Sequence, residues 1–530
     1  WPKRLNNPLT PDVWHLKRAL CQNVIPPSPV HPLWINLSGS NMAEQKTQTA
    51  ILLIGGLDPQ GCAGLTADIQ TVSHHGFHPV PLVTCVTEQT QNGMRALNPL
   101  SAEKFLKQYE SSVADFDIEA IKIGLIPNLE IAQAIERILT NHDVPVVMDP
   151  VMAATSGGQQ ASPDVLEFVR KSVLPKITLL TPNLPEMQYI TDNPDWSIEK
   201  QVRHLIEEGL SACLVKGGHG DQSFVSDYFA NAFSQFYCYQ RRLNKNVRGT
   251  GCVLASSLAC YLAQGEDIRD AVILSRSYIN RGIRESQSLG PYQLFSHQQQ
   301  PFELRDIPRL SYTPDLIGKS FSFPECPERL GIYPVVDSAD WVNRLLTIGI
   351  KTLQLRLKQS DNAFLNAEIA SAVDITEQHG DIQFFVNDHW RMAIDNGAYG
   401  VHLGQEDLHD ADLLEIEQAG LRLGISTHSY WELARALAVN PSYIALGPIF
   451  ETDSKQMPWQ PQGFDRLAEW IRLLDGHTPL VAIGGIDVPR ATALHKTGVG
   501  SVAMISAITK AADYQQVTHD LLTLWRDSAN

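Results

Sequence analysis

A regular alternation of short apolar runs and longer amphipathic segments occupies residues 329–530 and constrains the fold more than any other feature of the sequence. Eight runs have the composition of strands: GIYPVVD, TLQLRLK, QFFVND, YGVHLG, LRLGIS, YIALGPIF, LVAIGGI and SVAMIS. Parallel strands need crossover connections of about a dozen or more residues, usually helices, and most of the intervening segments are long enough for one. Eight such units in about 200 residues predict a closed (β/α)8 TIM barrel at the small end of its size range.

The first half of the chain alternates in the same way but less regularly. Over residues 49–296, amphipathic stretches separate six apolar or β-branched runs: AILLIGG, PVPLVTCV, IKIGL, VPVVMDPV, ITLLTPN and SACLVKGG. This pattern predicts an N-terminal α/β sandwich in which helices cover a mainly parallel sheet. Residues 297–328 contain several prolines and show no period, so we expect a linker there.

Length and composition fit two globular domains and exclude some classes of partner. The chain has 530 residues, of which 43% are hydrophobic and 19% charged, and its formal net charge is −16. This acidic balance, without a long basic stripe, disfavours nucleic acid and anionic membranes as partners. No apolar run approaches the ~18 residues that cross a bilayer. The eight cysteines form no CxxC pair, which predicts reduced thiols in a cytoplasmic protein.

Residues 1–48 precede the first strong strand pattern, and we assign them to neither domain. The first methionine is Met42, and the residues before it lack a basic segment followed by an apolar one. We therefore expect no signal peptide in this stretch, and we expect either a flexible extension or a misplaced start.

Polar side chains gather where the predicted barrel strands end. The second strand ends with Gln354, Arg356 and Lys358 on one face, the third ends with Asn387 and Asp388, and Asp407 follows the fourth. Two carboxylates beside convergent cations suit a Mg²⁺-bound diphosphate, because carboxylates hold the metal and cations bind phosphate oxygens. Taken singly, each of these residues could be a helix N-cap or part of a solvated face. Their joint position at strand ends favours a site.

Later strand ends carry the residue types of a phosphate site. The segment PIFETDSK contains Thr452, Ser454 and Lys455, and the last two strands are followed by GGI and ISA. Glycine and serine at these positions are typical of the phosphate site that barrels build from the loops after strands seven and eight.

Together, QLRLK, VND, GVHLGQED, GIS, LGPIFETDSK, VAIGGI and MISAI resemble the motif series of thiamine phosphate synthases over residues 330–512. The resemblance implies that a hydroxymethylpyrimidine diphosphate and a thiazole phosphate are joined to give thiamine monophosphate. It implies that the diphosphate is bound by Gln354, Arg356, Lys358, Asn387 and Lys455, and that Mg²⁺ is held by Asp388 and Asp407. It implies that Ser426 touches the pyrimidine and that the thiazole phosphate is bound by Thr452, Ser454, Gly485, Ile505 and Ser506. The family usually has threonine where Ser454 stands, and serine lacks the methyl group that restricts the side-chain rotamer.

In the first half, polar and glycine-rich motifs also follow the strands. They are GGLDPQGCAGLTAD at residues 55–68, DPVM at 149–152, TPNLPE at 181–186, KGGH at 216–219 and RGTGC at 248–252. The predicted metal ligands are Asp149 and Glu186, and the predicted nucleotide contacts are Asn183 and Lys216. The amides of Gly249, Thr250, Gly251 and Cys252 can converge on a transferring phosphoryl group, because they open a helix.

These segments resemble the ribokinase-like superfamily, and within it the hydroxymethylpyrimidine kinase/phosphomethylpyrimidine kinase family. The resemblance covers residues 49–293 and implies ATP as a co-substrate, with Asp68 and Gln89 at the pyrimidine. The chain departs from the family pattern at Leu57, Gln60, Cys62, Thr155 and Arg248. These departures concern the efficiency of the kinase rather than its fold, and Thr155 stands where the family has a lysine that could support phosphate binding.

Cys252 occupies the position where most ribokinase relatives carry aspartate. The pyrimidine kinase family phosphorylates an alcohol and then the phosphate just made, so a permanent carboxylate would repel the second acceptor. Our hypothesis is that a thiol at a helix N-terminus ionises for the first step and stays neutral for the second. The alternative is a small buried thiol that only packs.

The sequence thus predicts a bifunctional transferase of thiamine biosynthesis that uses Mg²⁺ and ATP and acts on small pyrimidine and thiazole phosphates. We also expect a homo-oligomer. Two alternatives stay open for the first domain: a kinase that prefers pyridoxal, and a non-catalytic domain that senses pyrimidine or thiamine phosphates.

Overall fold

The first half of the chain folds around one ten-stranded sheet with a parallel centre. A computed structural model describes residues 48–90, 93–151, 162–218, 223–290, 292–297, 302–358, 361–452 and 460–526. The sheet strands are β1 (Gln48–Leu57), β2 (His78–Thr90), β3 (Gly93–Pro99), β4 (Phe116–Ile123), β5 (Val146–Met148), β6 (Leu179–Leu180), β7 (Ala212–Val215), β8 (Phe224–Asn231) and β9 (Gln235–Arg241). A small hairpin outside this sheet consists of β10 (Gln287–Leu289) and β11 (Tyr292–Leu294). A further edge strand, β12 (Arg309–Ser311), follows the hairpin.

The strand order is β12-β9-β8-β7-β6-β5-β4-β1-β2-β3. Neighbours from β2 through β1 and β4 to β7 are parallel, whereas β3, β8, β9 and β12 pair antiparallel at the two edges. The predicted mainly parallel sheet is confirmed, and the six predicted runs form β1, β2, β4, β5, β6 and β7. The antiparallel edges were not predicted.

Helices cover both faces of this sheet because its central strands are apolar on both sides. In β1, Ile51 and Leu53 pack into one core, whereas Leu52 and Ile54 pack into the other. The helices are α1 (Gly64–His74), α2 (Ala102–Ser112), α3 (Leu129–Thr140), α4 (Pro163–Phe168), α5 (Leu184–Thr191), α6 (Ile198–Glu207), α7 (Thr250–Ala263) and α8 (Ile268–Arg284). The helix α4 continues into a π turn (Val169–Val173) and a 3-10 turn (Leu174–Lys176).

The segment 297–328, predicted to be a linker, contains more structure than a linker requires. Its strand β12 pairs with β9, so that Leu310 lies opposite Cys238. Two 3-10 turns, Leu304–Asp306 and Pro314–Leu316, flank this strand. A run of three residues is too short to show a strand period, and for that reason the sequence pattern missed it.

The second half of the chain forms a closed barrel in which eight parallel strands follow one another in chain order. They are β13 (Gly331–Val336), β14 (Thr352–Leu355), β15 (Gln383–Asn387), β16 (Gly400–Leu403), β17 (Arg422–Thr427), β18 (Tyr443–Leu446), β19 (Leu480–Ile483) and β20 (Ser501–Met504). The barrel interior is filled by side chains that include Tyr333, Phe385 and Tyr443. The predicted (β/α)8 fold is confirmed.

Helices surround the barrel, and local polar residues cap many of them. They are α9 (Ala339–Ile348), α10 (Asn362–His379), α11 (Trp390–Asp395), α12 (Asp407–Asp410), α13 (Leu413–Gln418), α14 (Tyr430–Val439), α15 (Gly463–Leu474), α16 (Val488–His495), α17 (Ser506–Thr509) and α18 (Tyr514–Arg526). Ser338 caps α9 and Ser429 caps α14, each accepting a hydrogen bond from a backbone N–H in the first turn.

The sandwich and the barrel belong to one compact unit that begins at Gln48. The barrel helix α14 packs against α8 and β12 of the sandwich, and Arg309 donates a hydrogen bond to the carbonyl of Leu437 in α14. Within the part of the chain that the structure describes, no helix combines the length and the apolar content needed to span a membrane.

Candidate active sites

The RGTGC motif opens helix α7, as predicted, and its first glycine is required by the geometry. Gly249 is the N-cap with φ of 76°, a left-handed conformation, and no side chain caps this terminus. A Cβ atom at Gly249 would lie 2.2 Å from the carbonyl oxygen of Cys62 in the first glycine-rich turn. The close approach brings that turn against the start of α7, and backbone N–H groups there are available to bind an anion.

Cys252 lies in the first turn of α7 and is partly buried. Burial raises the pKa of its thiol to about 11, although the Lys122 ammonium lowers it and a backbone N–H of Gly64 hydrogen-bonds to the sulfur. The carboxylates of Asp68 and Asp149 oppose ionisation further. The raised pKa works against the hypothesis that the helix N-terminus prepares this thiol to ionise, and the role of Cys252 stays a prediction.

A buried ion pair missed by the sequence analysis lies beside Cys252. Lys122, in β4, is 1% exposed, and its Nζ lies 2.7 Å from Oδ2 of Asp68, which is fully buried in α1. The Ser256 hydroxyl of α7 donates to Oδ1 of Asp68 at 2.8 Å. Burial alone would lower the pKa of Lys122, but Asp68 outweighs it and keeps the ammonium charged. The lone charged residue inside the apolar run IKIGL was the available signal.

The predicted nucleotide and metal residues meet around a second lysine. Lys216 Nζ lies 2.5 Å from Oδ1 of Asp149 and 3.9 Å from Oε2 of Glu186. Burial alone would lower the pKa of Lys216, but the two carboxylates outweigh it and raise it. Burial raises the pKa of Glu186 to about 7, although the Lys216 ammonium lowers it. A metal ion at Asp149 would have to share that carboxylate with the ammonium.

Asn183 and Glu186 also cap the N-terminus of helix α5. The Asn183 side chain accepts from the backbone N–H of Glu186, and the Glu186 carboxylate accepts from the backbone N–H of Asn183, both at 2.8 Å. This reciprocal capping box fixes the start of α5. A Cβ atom at Gly251 would lie 3.3 Å from both Asp149 Oδ2 and Lys216 Nζ, so the first turn of α7 lies directly beside this group.

The first site therefore places two buried ammonium groups and the N-terminus of α7 around one region. Lys122 and Lys216 each act electrostatically on Cys252 and Asp149. Such an arrangement can bind a polyphosphate and stabilise the charge that develops on a transferring phosphoryl group.

In the barrel, the predicted carboxylates lie together at the carboxyl ends of their strands. Asp388 follows β15 and Asp407 begins α12 after β16, and the two side chains share a hydrogen bond. Burial and the Asp407 charge raise the pKa of Asp388 to about 6, and Arg356 opposes the shift. The backbone of Asp388 is left-handed, with φ of 64°. A Cβ atom at Gly404 would lie 3.0 Å from Asp407 Oδ2, so glycine leaves room for this carboxylate.

Two neighbouring carboxylates repel each other, and a hard divalent cation bound by them would offset that repulsion. Over the described ranges, no group of three or more His, Cys, Asp or Glu side chains is arranged to hold a metal by itself. The donor set therefore suits a Mg²⁺ ion whose remaining ligands are waters or phosphate oxygens.

A buried polar network leads from Gln354 to Ser426 across the barrel. Gln354 donates to the Tyr333 hydroxyl at 3.3 Å, and the hydroxyls of Tyr333 and Tyr443 lie 2.8 Å apart. His402 Nδ1 lies 2.7 Å from the Tyr443 hydroxyl, and its Nε2 lies 2.8 Å from the Ser426 hydroxyl. Burial and the nearby Arg356 lower the pKa of His402 to about 3, so the ring is neutral. The sequence analysis missed both tyrosines and the histidine, because they fall at interior positions of apolar strands.

The remaining predicted residues are only partly described. Arg356 and Lys358 follow β14, where Lys358 is exposed. Asn387 ends β15 and hydrogen-bonds to the Asp388 carboxylate. Gly485 has φ of 66°, and a Cβ atom there would lie 2.4 Å from the carbonyl oxygen of Glu451, next to Thr452. Ile505 and Ser506 start α17. Ser454, Lys455, Thr155 and the side chain of Gln89 lie outside the described residues.

Comparison with known proteins assigns a different family to each half of the chain. Residues 58–297 match the family model described as phosphomethylpyrimidine kinase, and residues 332–508 match that of thiamine monophosphate synthase. The thiamine-phosphate synthase of Salmonella choleraesuis (strain SC-B67) is 53% identical over 202 residues, which are 38% of this chain and 95% of that protein.

Two solved kinases resemble the first half. The phosphomethylpyrimidine kinase of Clostridium difficile 630 is 29% identical and matches 45% of this chain and 100% of its own, with a TM-score of 0.39. The pyridoxal kinase of Staphylococcus aureus in complex with pyridoxal is 25% identical and matches 47% of this chain and 93% of its own, with a TM-score of 0.43.

Proposed function

The chain belongs to the thiamine-phosphate synthase family and carries a phosphomethylpyrimidine kinase domain before its barrel, and from this premise we propose that the two sites act in sequence. The kinase domain transfers two phosphoryl groups from ATP to 4-amino-5-hydroxymethyl-2-methylpyrimidine. The barrel then condenses the diphosphate with a thiazole phosphate to give thiamine monophosphate and pyrophosphate. The observation that carries the proposal is the Asp388–Asp407 pair beside Arg356, which suits a metal-bound diphosphate.

In the proposed kinase reaction, the acceptor oxygen bonds to the γ-phosphorus of ATP as the bond to the bridging oxygen breaks and ADP leaves. In the first step the proton of the alcohol passes to solvent. The N–H groups at the start of α7 and the ammonium groups of Lys122 and Lys216 neutralise the charge on the phosphoryl oxygens. Cys252 stays a neutral thiol in both steps. It orients the alcohol in the first step and adds no negative charge that would repel the phosphate monoester in the second.

In the proposed synthase reaction, the bond between the pyrimidine methylene carbon and the diphosphate oxygen breaks, and the thiazole nitrogen bonds to that carbon. Arg356 and Lys358 hold the leaving diphosphate, with Gln354, Asn387 and Lys455. Ser426 holds the pyrimidine, and neutral His402 holds the Ser426 hydroxyl. The thiazole phosphate is bound by Thr452, Ser454, Gly485, Ile505 and Ser506.

Both reactions are proposed to use Mg²⁺. In the barrel, Asp388 and Asp407 would hold the ion, which would neutralise the departing pyrophosphate. In the kinase domain, Asp149 and Glu186 would contact the metal that accompanies ATP, with Asn183 and Lys216 at the nucleotide. We further propose a cytoplasmic location and a homo-oligomer. The location is supported by the seven described cysteines, all of which are free thiols.

The domains can be tested separately in the full chain. With Mg²⁺, ATP and the pyrimidine alcohol, the proposal predicts about two ADP released per alcohol consumed, since two phosphoryl groups are transferred. With supplied pyrimidine diphosphate and thiazole phosphate, it predicts thiamine monophosphate and pyrophosphate in equal amounts. ADP release with pyridoxal but not with the pyrimidine alcohol would assign the first domain to the pyridoxal alternative. Ligand binding without ADP release would assign it to the sensing alternative.

A further inference from the structure

The barrel helix α14 begins four residues after Ser426, and the kinase domain supplies part of its N-terminal cap. Ser429 is the N-cap and accepts from the backbone N–H of Glu432 at 3.3 Å. The backbone N–H of Trp431 donates instead to Oδ1 of Asp270, in the kinase helix α8, at 2.7 Å. The Ser429 side chain also hydrogen-bonds to the Asp270 carboxylate.

Water has little access to this terminus. The relative exposures of Asp270, Ser429 and Trp431 are 5%, 5% and 8%, and Arg269 lies over the Trp431 ring at 4.8 Å. A buried helix start needs a partner for each free N–H, and here an acidic side chain from the other domain supplies one.

Contacts from α14 lead back to Ser426 along two routes. Near the helix start, Glu432 Oε2 accepts from both the backbone N–H and Nδ1 of His428, each at 2.7 Å, and so fixes the residues after Ser426. Further along the helix, Arg435 donates to the carbonyl oxygen of Gln405 at 2.6 Å, and Gln405 Nε2 donates to the carbonyl oxygen of Ser426 at 2.7 Å. A shift of α14 would therefore displace Ser426 through both His428, which follows it in the chain, and Gln405, which binds its carbonyl oxygen.

From these contacts we propose that Asp270 of the kinase domain is a positioning residue of the synthase reaction. By capping α14 it sets the position of Ser426, and through Ser426 it sets the pose of the pyrimidine diphosphate in the barrel. This inference rests on the proposed function of Ser426. It makes the kinase domain a structural part of the synthase site, in addition to its own activity.

The test compares Asp270→Ala, Asp270→Asn and Glu266→Ala in the full chain. Asparagine keeps an oxygen that accepts from Trp431, whereas alanine does not. Glu266 pairs with Arg466 of the barrel at 3.2 Å, so its replacement loosens the same interface without removing a hydrogen bond of the cap. Calorimetry measures the Kd of pyrimidine diphosphate, and turnover with supplied substrates gives kcat and KM. ADP release and thermal unfolding serve as controls.

We expect D270A to raise the Kd and KM for pyrimidine diphosphate about fivefold to tenfold, with kcat and the KM for thiazole phosphate changed less than about twofold. D270N should stay within about twofold of the wild type, E266A should leave the Kd unchanged, and ADP release should be the same in all. A D270A variant that is less stable but keeps its Kd would overturn the proposal. Equal losses in D270A and E266A would do the same, because they would show general loosening of the interface.

Two further measurements distinguish a failure of the proposed function from a failure of the Asp270 proposal. If the wild type binds pyrimidine diphosphate but forms no thiamine monophosphate, the proposed function fails, while the Kd values still test the role of Asp270. If D270A does not fold, Ser429→Ala removes the hydroxyl that bridges Asp270 and α14 and should give the same rise in Kd. An unchanged Kd in S429A would then contradict the proposal.

Discussion

A neutral thiol at position 252 distinguishes this kinase site from one built on a carboxylate. Its pKa of about 11 means that the group adds no charge to a region where a phosphate monoester must accept a second phosphoryl group. A carboxylate within about 4 Å of that dianion would cost on the order of several kcal/mol at the effective dielectric of a protein surface. We therefore propose that the absence of a charge, rather than the strength of a base, favours cysteine at position 252.

Cys252→Asp should keep the first phosphorylation within about tenfold of the wild type and slow the second by at least about a further tenfold, because only the second acceptor is anionic. Cys252→Ser is the matched neutral control and should slow both steps to a similar degree. Single-turnover measurements of each phosphorylation, starting from the alcohol and from the monophosphate, check this. Equal losses of both steps in C252D would contradict the account.

The ion pair of Lys122 and Asp68 is fully buried, so removing one partner leaves the other uncompensated. Lys122→Met should lower the free energy of unfolding of the kinase domain by about 3–5 kcal/mol and abolish ADP release. Adding Asp68→Asn removes the orphaned charge and should recover most of that stability without recovering activity. Denaturant unfolding and ADP release are the measurements. A double variant as unstable as the single one would show that the charge is not the cause.

Asp388 and Asp407 are expected to set the affinity of the barrel for Mg²⁺. Asp388→Asn should raise the Mg²⁺ concentration needed for half-maximal synthase turnover by at least about tenfold, because a metal ligand is lost. Asp410→Asn removes an exposed carboxylate from the same short helix as Asp407 and should leave the Mg²⁺ titration unchanged. If the Mg²⁺ titration curves of the wild type and D388N coincide, the result would argue against a metal held by these carboxylates.

At the scale of the elements, the start of α14 depends on a carboxylate with a raised pKa. Burial raises the pKa of Asp270 to about 6 from its ordinary 3.8, although the Trp431 N–H lowers it, while Glu266 and Asp267 raise it further. A carboxyl whose pKa is raised by folding stabilises the protein at low pH. That contribution is lost as the pH rises through about 6.

Asp270→Asn should therefore melt at a higher temperature than the wild type near pH 7.5, where it removes a penalty of about 1–3 kcal/mol. The two proteins should melt at nearly the same temperature near pH 3.5, where the folded and the unfolded wild type both largely keep the proton. Thermal unfolding of both proteins at both pH values measures this. A difference that does not depend on pH would contradict the shifted pKa.

The sequence could predict the elements whose pattern is local. Apolar runs with a helix-length spacing predicted the barrel strands and the parallel centre of the sheet, and polar residues at strand ends predicted Asp388, Asp407 and Arg356. Lys122 was missed because its partner Asp68 lies 54 residues away, so no local pattern records the pair. His402, Tyr333 and Tyr443 were missed because a polar residue inside an apolar strand reveals a network only after the barrel has closed. The raised pKa of Cys252 could not be predicted because burial is a property of the fold.

At the scale of the whole molecule, the kinase domain and the barrel share an interface with specific polar contacts. Beyond Asp270, the ion pair of Glu266 with Arg466 joins α15 to the kinase domain, and Arg472 of α15 donates to the carbonyl oxygen of Phe302 at 2.8 Å. A flexible tether would need none of these contacts. The fusion therefore sets the relative position of two sites, one of which is proposed to make the substrate of the other.

The most direct test of the central claim is one coupled reaction. The purified full chain is incubated with Mg²⁺, ATP, the pyrimidine alcohol and the thiazole phosphate, and thiamine monophosphate is measured over time. The account predicts thiamine monophosphate together with about two ADP per product, and a loss of product in K122M that added pyrimidine diphosphate restores. If no thiamine monophosphate forms even with added pyrimidine diphosphate, the proposed activity of the barrel is contradicted. If product forms only with the added diphosphate, the proposed activity of the kinase domain is contradicted.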